Sequence, residues 1–248
     1  MTVTSFLLLF VVGCVAGVLN VLAGGGSFLT LPVLVFLGLP ATVANATNRV
    51  AIVMQNVAAV WSFRRLGVHV RGTFVWAAAP ALVGGALGAG LALFVSDELF
   101  QRLLAVLMVV FALWTLIGRR HGGEASEAPT GGRLALVAVG FFGAGVYAGF
   151  VQAGVGFLIL TLTTAAGLDL VRGNAVKVTA ILVLTVVALL IFAWQGKVDW
   201  PLGLALGSGN LVGGLLGARL TVWKGHDWVR RFVVVTVVVF ALKLWLDT

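Results

Sequence analysis

Hydrophobic residues in this chain come in continuous runs, not in alternation. The runs fall at 3–22, 28–39, 41–63, 73–95 and 99–117, then at 134–151, 157–168, 175–194, 202–223 and 228–246. A polar connection at 119–133 separates the two lists and holds Gly122, Gly123, Glu124, Glu127, Pro129, Gly131 and Gly132. A helix needs about 20 apolar residues to cross a bilayer, and most of these runs approach that length. The runs at 28–39 and 157–168 are too short to span comfortably. A transmembrane β-barrel requires alternation and is excluded. The pattern predicts an all-α integral membrane protein.

The two lists match because the chain is duplicated. A shift of 129 places 28–116 on 157–245 without a gap, and 28 of those 89 positions are identical. Asn45 falls on Asn174, Gly67 on Gly196, Arg102 on Arg231, and Leu82-Val83-Gly84-Gly85 on Leu211-Val212-Gly213-Gly214. Apolar composition alone would not bring glycines, asparagines and an arginine into one register. The expected organisation is a first transmembrane repeat at 1–118, a basic polar connection at 119–133 and a second repeat at 134–248. Each repeat holds about four spanning helices and one short glycine-broken segment.

Composition fixes the solvent. The chain is 61% hydrophobic and 10% charged, with a mean hydropathy of +1.14, whereas soluble domains are roughly 45–50% apolar and about 25% charged. Lipid must surround most of it. The net charge of +8 lies mostly in short connections, where the positive-inside rule puts it, so nucleic acid is not an expected partner. Arg64, Arg65 and Arg71 mark one inside loop, and Arg119, Arg120 and Arg133 another; Asp97 and Glu98 then fall outside. Arg172 with Lys177, and Lys224 with Arg230 and Arg231, look like inside clusters of the second half. That distribution favours inverted repeats, each crossing five times if the short runs cross. If the short runs are re-entrant, four crossings per half make the repeats parallel. Trp61, Trp194, Trp200, Trp223 and Trp228 sit near run ends, as an interfacial belt requires. The stripes Gly13-x-x-x-Gly17, Gly84-Gly85-x-x-Gly88 and Gly213-Gly214-x-x-Gly217 read as helix-packing faces. Cys14 reads as a small buried residue. The stretch 1–5 lacks a basic signal-peptide region, so the first run is expected to remain in the mature chain.

Each half interrupts its hydrophobic sequence at a glycine cluster: Ala23-Gly24-Gly25-Gly26-Ser27 and Gln152-Ala153-Gly154-Val155-Gly156. Three successive glycines cost a helix roughly 1 kcal/mol each relative to alanine. Unwound backbone at membrane depth persists only under cover of protein or beside a water-filled cavity. The half-helices that follow present free N–H groups and positive dipole ends, which favour an anion. One break alone is as well explained by close packing; two at equivalent places point to a site. Asn45, Asn48 and Arg49 open one spanning helix, and Asn174 and Lys177 open its counterpart, although either cation would also suit snorkelling to an interface. Asn20, Gln55, Asn56, Gln152 and Asn210 suit lining a path or bonding helix to helix, the latter more often. All eight acidic residues, and His69, His121 and His226, lie outside the runs or at their ends. No buried carboxylate is available for a cation or proton relay. No nucleophile–base pair, metal-ligand spacing or phosphate loop occurs. An enzyme is not expected, nor a metal or cofactor, nor an ATP-driven machine unless another chain supplies the ATPase.

The stretch Gly17-Val-Leu-Asn-Val-Leu-Ala-Gly-Gly-Gly-Ser-Phe-Leu-Thr-Leu-Pro32, followed by Ala44-Asn-Ala-Thr-Asn-Arg49, resembles the TauE/SafE family of membrane proteins, often called sulfite exporters. The stretch 145–157, followed by Gly173-Asn-Ala-Val-Lys177, resembles that family's second repeat. The likeness covers essentially the whole chain. It implies a secondary transporter in the cell membrane, moving small sulfur-containing anions such as sulfite or organosulfonates outward, with a proton or Na⁺ as the candidate coupling ion. The candidate binding set is Gly24, Gly25, Gly26, Ser27, Asn45, Asn48, Arg49, Gln152, Gly154, Gly156, Asn174 and Lys177. An anion channel or uniporter, or a carrier of other small organic anions, suits the same residues. Gln152-Ala-Gly stands where the first copy has Ala23-Gly-Gly-Gly, so the half-sites are expected to be unequal.

Overall fold

The computed structural model describes residues 3–70, 74–117 and 131–224. The last apolar run, most of the central connection, and Arg71, Arg119, Arg120, Trp228, Arg230 and Arg231 lie outside the described residues. Regular structure among the described residues is entirely helical: α1 (Val3–Leu22), α2 (Ser27–Phe36), α3 (Ala41–Arg65), α4 (Phe74–Ala92), α5 (Asp97–Ile117), α6 (Gly131–Phe150), α7 (Val155–Ala165), α8 (Leu170–Trp194) and α9 (Trp200–Lys224). Helices satisfy every backbone group within one segment, which hydrocarbon demands. The bounds of α3 and α8 differ by the sequence offset of 129 at both ends, and the two short helices α2 and α7 occupy corresponding places.

Three described helices are long and apolar enough to cross a membrane: α1, α8 and most of α9. The apolar parts of α4 and α6 are shorter. With 25 residues, α3 has the length but not the composition, because Asn45, Asn48, Arg49, Gln55 and Asn56 interrupt it. All five are buried, so they face protein and not lipid. The outer surface is apolar instead, with Leu7, Val11, Val57, Val83, Leu87, Leu91, Leu136, Val139, Leu190 and Leu204 exposed. A soluble protein rarely shows such continuous apolar surface.

Local signals end the helices where the two copies agree. Gly67 and Gly196 take φ of 78° and 65° after α3 and α8. Each lets the next residue donate back into the helix, Val68 N–H to Phe63 O at 2.9 Å and Lys197 N–H to Phe192 O at 3.0 Å, the geometry of a glycine C-cap. At its start, α8 is capped by Asp169, whose Oδ1 accepts from Val171 and Arg172 N–H. The start of α3 has no such residue of its own. Asp97 serves it from α5, accepting from Thr42 N–H at 2.9 Å and Thr42 Oγ1 at 2.6 Å.

Glycine stripes bring pairs of helices into backbone contact. A methyl group on Gly17 would meet the Asn210 carbonyl and Gly213 Cα, one on Gly13 would strike Leu206 O, and one on Gly217 would meet Val18 and Val21. Contacts therefore advance in the same direction along α1 and α9. The same holds for α4 and α6: Gly84 abuts Phe142 and Val146, and Gly88 abuts Val146 and Phe150. Both short helices turn back on their long predecessors. Gly26 sits against Ala16 and Asn20 of α1, and Gly140 of α6 sits against Leu162 of α7.

One end of the molecule gathers the start of α3, the α4–α5 corner with Asp97 and Glu98, and the α8–α9 corner with Lys197 and Asp199, whose N–H reaches Thr47 Oγ1 at 2.9 Å. The other gathers the end of α3 with Arg64 and Arg65, the start of α8 with Arg172, and the end of α9. Phe63, Ala175, Val178 and Ala218 share one core cluster there. The first is called the acidic face below and the second the basic face. Exposed tryptophans mark both: Trp194 and Trp200 at the acidic end, Trp61 and Trp223 at the basic end.

Candidate functional site

The two glycine breaks meet. Gly24 has φ of 89°, and any side chain on it would collide with the backbone of Gly156 and Phe157; one on Gly156 would collide with Gly24. Only glycine permits both the left-handed turn and the approach. From this junction α2 and α7 depart. Gly25 and Gly26 carbonyls accept from Phe28 and Leu29 N–H, and Gly154, at φ 76°, accepts from Phe157 N–H. No side chain caps the first turn of either half-helix.

Around the junction lie polar side chains from α3 and α8, all fully buried. Asn48 holds the start of α2: its Nδ2 donates to Ser27 Oγ at 3.3 Å, and its Oδ1 accepts from Thr30 Oγ1 at 2.7 Å. Asn45, one turn earlier, turns to the other break and donates to Phe150 O at 3.0 Å; its Oδ1 accepts from Gln152 N–H at 3.5 Å. Gln152 Nε2 donates to Thr185 Oγ1 at 2.6 Å, while Gln152 Oε1 has no partner.

The two cations make reciprocal contacts. Arg49 Nη2 donates to Gly149 O at 2.5 Å, near the end of α6. Lys177 Nζ donates to Asn20 O at 3.2 Å and Val21 O at 2.7 Å, near the end of α1. Asn20 and Gly149 are 129 residues apart, so each cation caps the same carbonyl in the half it does not belong to. A positive charge at a helix C-terminus is favourable because it meets the negative end of the dipole. Arg49 also stacks on Phe192, its Cζ 4.9 Å from the ring centroid. Its Nε and Nη1 remain buried without partners. Neither cation has an acidic partner among the described residues; the ion pairs described, Arg102–Glu98 and Arg172–Asp169, lie in exposed positions.

Asn174 shows how unequal the halves are. Its mate Asn45 bonds Phe150 O, whose counterpart Val21 O is occupied by Lys177. Both side-chain polar atoms of Asn174 are left buried and unpaired. The remaining polar residues are glue in part: Asn20 and Asn210 both donate to Gln55 Oε1, at 3.2 and 3.3 Å, tying α1, α9 and α3 together. Every residue of the candidate set thus lies at the junction or on the helix turns packed against it. Thr30, Thr185 and Phe192 also belong to this region and left no mark in the sequence, since threonine and phenylalanine are ordinary in apolar helices.

Comparison with known proteins gives a consistent picture. The chain matches the family described as sulfite exporter TauE/SafE over residues 9–244. It is 30% identical over 242 residues to the probable membrane transporter protein YfcA of Escherichia coli K12, covering 97% of this chain and 89% of that one. It is 26% identical over 248 residues to a probable membrane transporter protein of Haemophilus influenzae, covering 97% and 94%. A probable membrane transporter protein, ORF9, of a Sinorhizobium species is 28% identical over 244 residues, covering 96% and 92%. No solved structure matches significantly. With its helices, its apolar exterior and a family match across nearly its whole length, the chain belongs to the sulfite exporter TauE/SafE family of membrane transporters.

Proposed function

We propose that the chain is a secondary carrier for a small sulfur-containing oxyanion of the sulfite or organosulfonate class, built from two inverted repeats. The observation that carries this is a pair of fully buried cations, Arg49 and Lys177, without acidic partners, beside two uncapped half-helix starts. Unpaired buried charge is costly, and carbonyls relieve only part of it. A small anion beside the Gly24–Gly156 junction, against the half-helix starts, supplies the missing negative charge. The partnerless nitrogens of Arg49 and the free amide of Asn174 add donors. Sulfur is the element the family description names, and export the direction it names.

Support for inversion comes from the turn at each break. Because α2 doubles back along α1, the pair returns to the face it left, and α3 to α5 add three crossings. An odd number inverts the second half, so short runs that do not cross are compatible with inverted repeats. On this arrangement α3 runs from the acidic to the basic face and α8 the reverse. The positive-inside rule then puts Arg64, Arg65 and Arg172 in the cytoplasm.

The test is flux of labelled sulfite, sulfoacetate and taurine in proteoliposomes, with and without imposed pH and Na⁺ gradients. Saturable flux of one anion, reduced at least about tenfold in Arg49→Gln and Lys177→Gln, is expected, the scale on which losing a charge-assisted bond acts. Unchanged flux in both variants removes the site assignment. A non-saturating conductance replaces the carrier with a channel.

A further inference from the structure

Phe192 packs on Arg49 from the side of the acidic face. It also lines a small pocket of about 20 Å³ at that face, with Thr42, Ala92, Leu93, Val95 and Lys197. Such a space holds about one water molecule. Phe192 is only 2% exposed, so one ring stands between the pocket and the buried guanidinium. Its repeat mate, 129 residues earlier, is Phe63, which is 1% exposed near the basic end of α3. Phe63 packs in one cluster with Val21, Ala59, Ala175 and Val178. Val178 is the repeat mate of Arg49, and it follows Lys177.

We propose that Phe192 and Phe63 are a pair of gates, one toward each face of the membrane, and that alternating access consists of opening one while the other stays shut. This rests on the transporter reading above and adds the route by which the anion reaches the junction. Phe192 guards the path from the acidic face to Arg49, with Lys197 and Thr42 lining its mouth. Phe63 guards the path from the basic face to Lys177. The gates are unequal: Phe192 is held shut by stacking on a cation, whereas Phe63 meets valine and alanine. The ring covers a face of the Arg49 guanidinium and leaves Nε and Nη1 without partners, so it blocks the route and not the donors.

Ala188 and Ala59 supply the test, since each lies one turn inward of its gate, both are fully buried, and they are repeat mates. In a Cys14→Ser background, Ala188→Cys and Ala59→Cys are labelled with a membrane-impermeant maleimide in right-side-out and inverted vesicles. Phe192→Ala should speed labelling at position 188 at least about tenfold from one side only and leave position 59 unchanged. Phe63→Ala should do the reverse from the other side. Phe192→Leu and Phe63→Leu, smaller but still apolar, should give the same sidedness in case the alanine variants do not fold. Unchanged labelling, or equal labelling from both sides, overturns the gates. Because the readout needs no substrate, sided labelling without flux of sulfite, sulfoacetate or taurine leaves the gates standing and removes the sulfur-anion assignment. Sulfite flux without a labelling change removes the gates alone.

Discussion

Asn45 and Asn174 occupy the same place in each half, yet their surroundings differ because of one neighbour. Asn45 closes two hydrogen bonds to the end of α6 and the break beyond it. Lys177 has taken the carbonyl that Asn174 would use. Asn45→Ala should therefore lower stability in detergent by about 1 kcal/mol, the scale of a polar contact between membrane helices. Asn174→Ala should leave the melting temperature nearly unchanged. If Asn174 meets the anion, that same variant raises KM for flux without loss of folded protein. Equal melting shifts in the two variants would show that the difference in bonding has no energetic consequence.

Glycines separate packing from conformation at the level of the helices. Gly24 and Gly156 touch backbone to backbone, so Gly24→Ala must both strain φ and push α7 away. Loss of folded protein, or a melting temperature lowered well beyond that of any other glycine variant, is expected. Gly38→Ala meets open space and carries only the left-handed penalty of about 1 kcal/mol. Gly90, inside α4 and also facing open space, should behave oppositely: Gly90→Ala gains up to about 1 kcal/mol of helix propensity. Thermal unfolding of the three variants in one detergent checks the order. A Gly24→Ala variant as stable as the parent would remove the junction from the fold.

The proposed inversion of the repeats belongs to the scale of the whole molecule and predicts a direct signature. Gln195 and Leu66 are repeat mates, each the residue capping the end of a 25-residue helix. Cysteines placed at the two positions, in the Cys14→Ser background, should react with an impermeant reagent from opposite sides of the membrane. Labelling from the same side would make the halves parallel. The acidic face, with Asp97 bonded to Thr42, should be the outer one; labelling of Ser96→Cys from outside the cell checks that.

Continuous apolar runs, few charges and a repeat at fixed spacing determined by themselves that this chain is helical and lives in lipid, because the solvent selects composition directly. The two glycine breaks were equally legible, since glycine in hydrocarbon is costly and needs a local reason. Which partners the buried polar residues choose was not legible. Arg49 and Lys177 sit at unaligned positions, and only the tertiary fold brings the one to Gly149 O near the end of α6 and the other to Asn20 O near the end of α1. Length tells whether a segment can span but not whether it doubles back, so the short runs left the parity of the repeats open in the sequence. Phe63 and Phe192 were silent in sequence, as a phenylalanine in an apolar helix looks the same facing lipid or facing a guanidinium. Tertiary structure alone decided the partners of Arg49 and Lys177, because contacts between segments a hundred or more residues apart leave no periodic trace in either one.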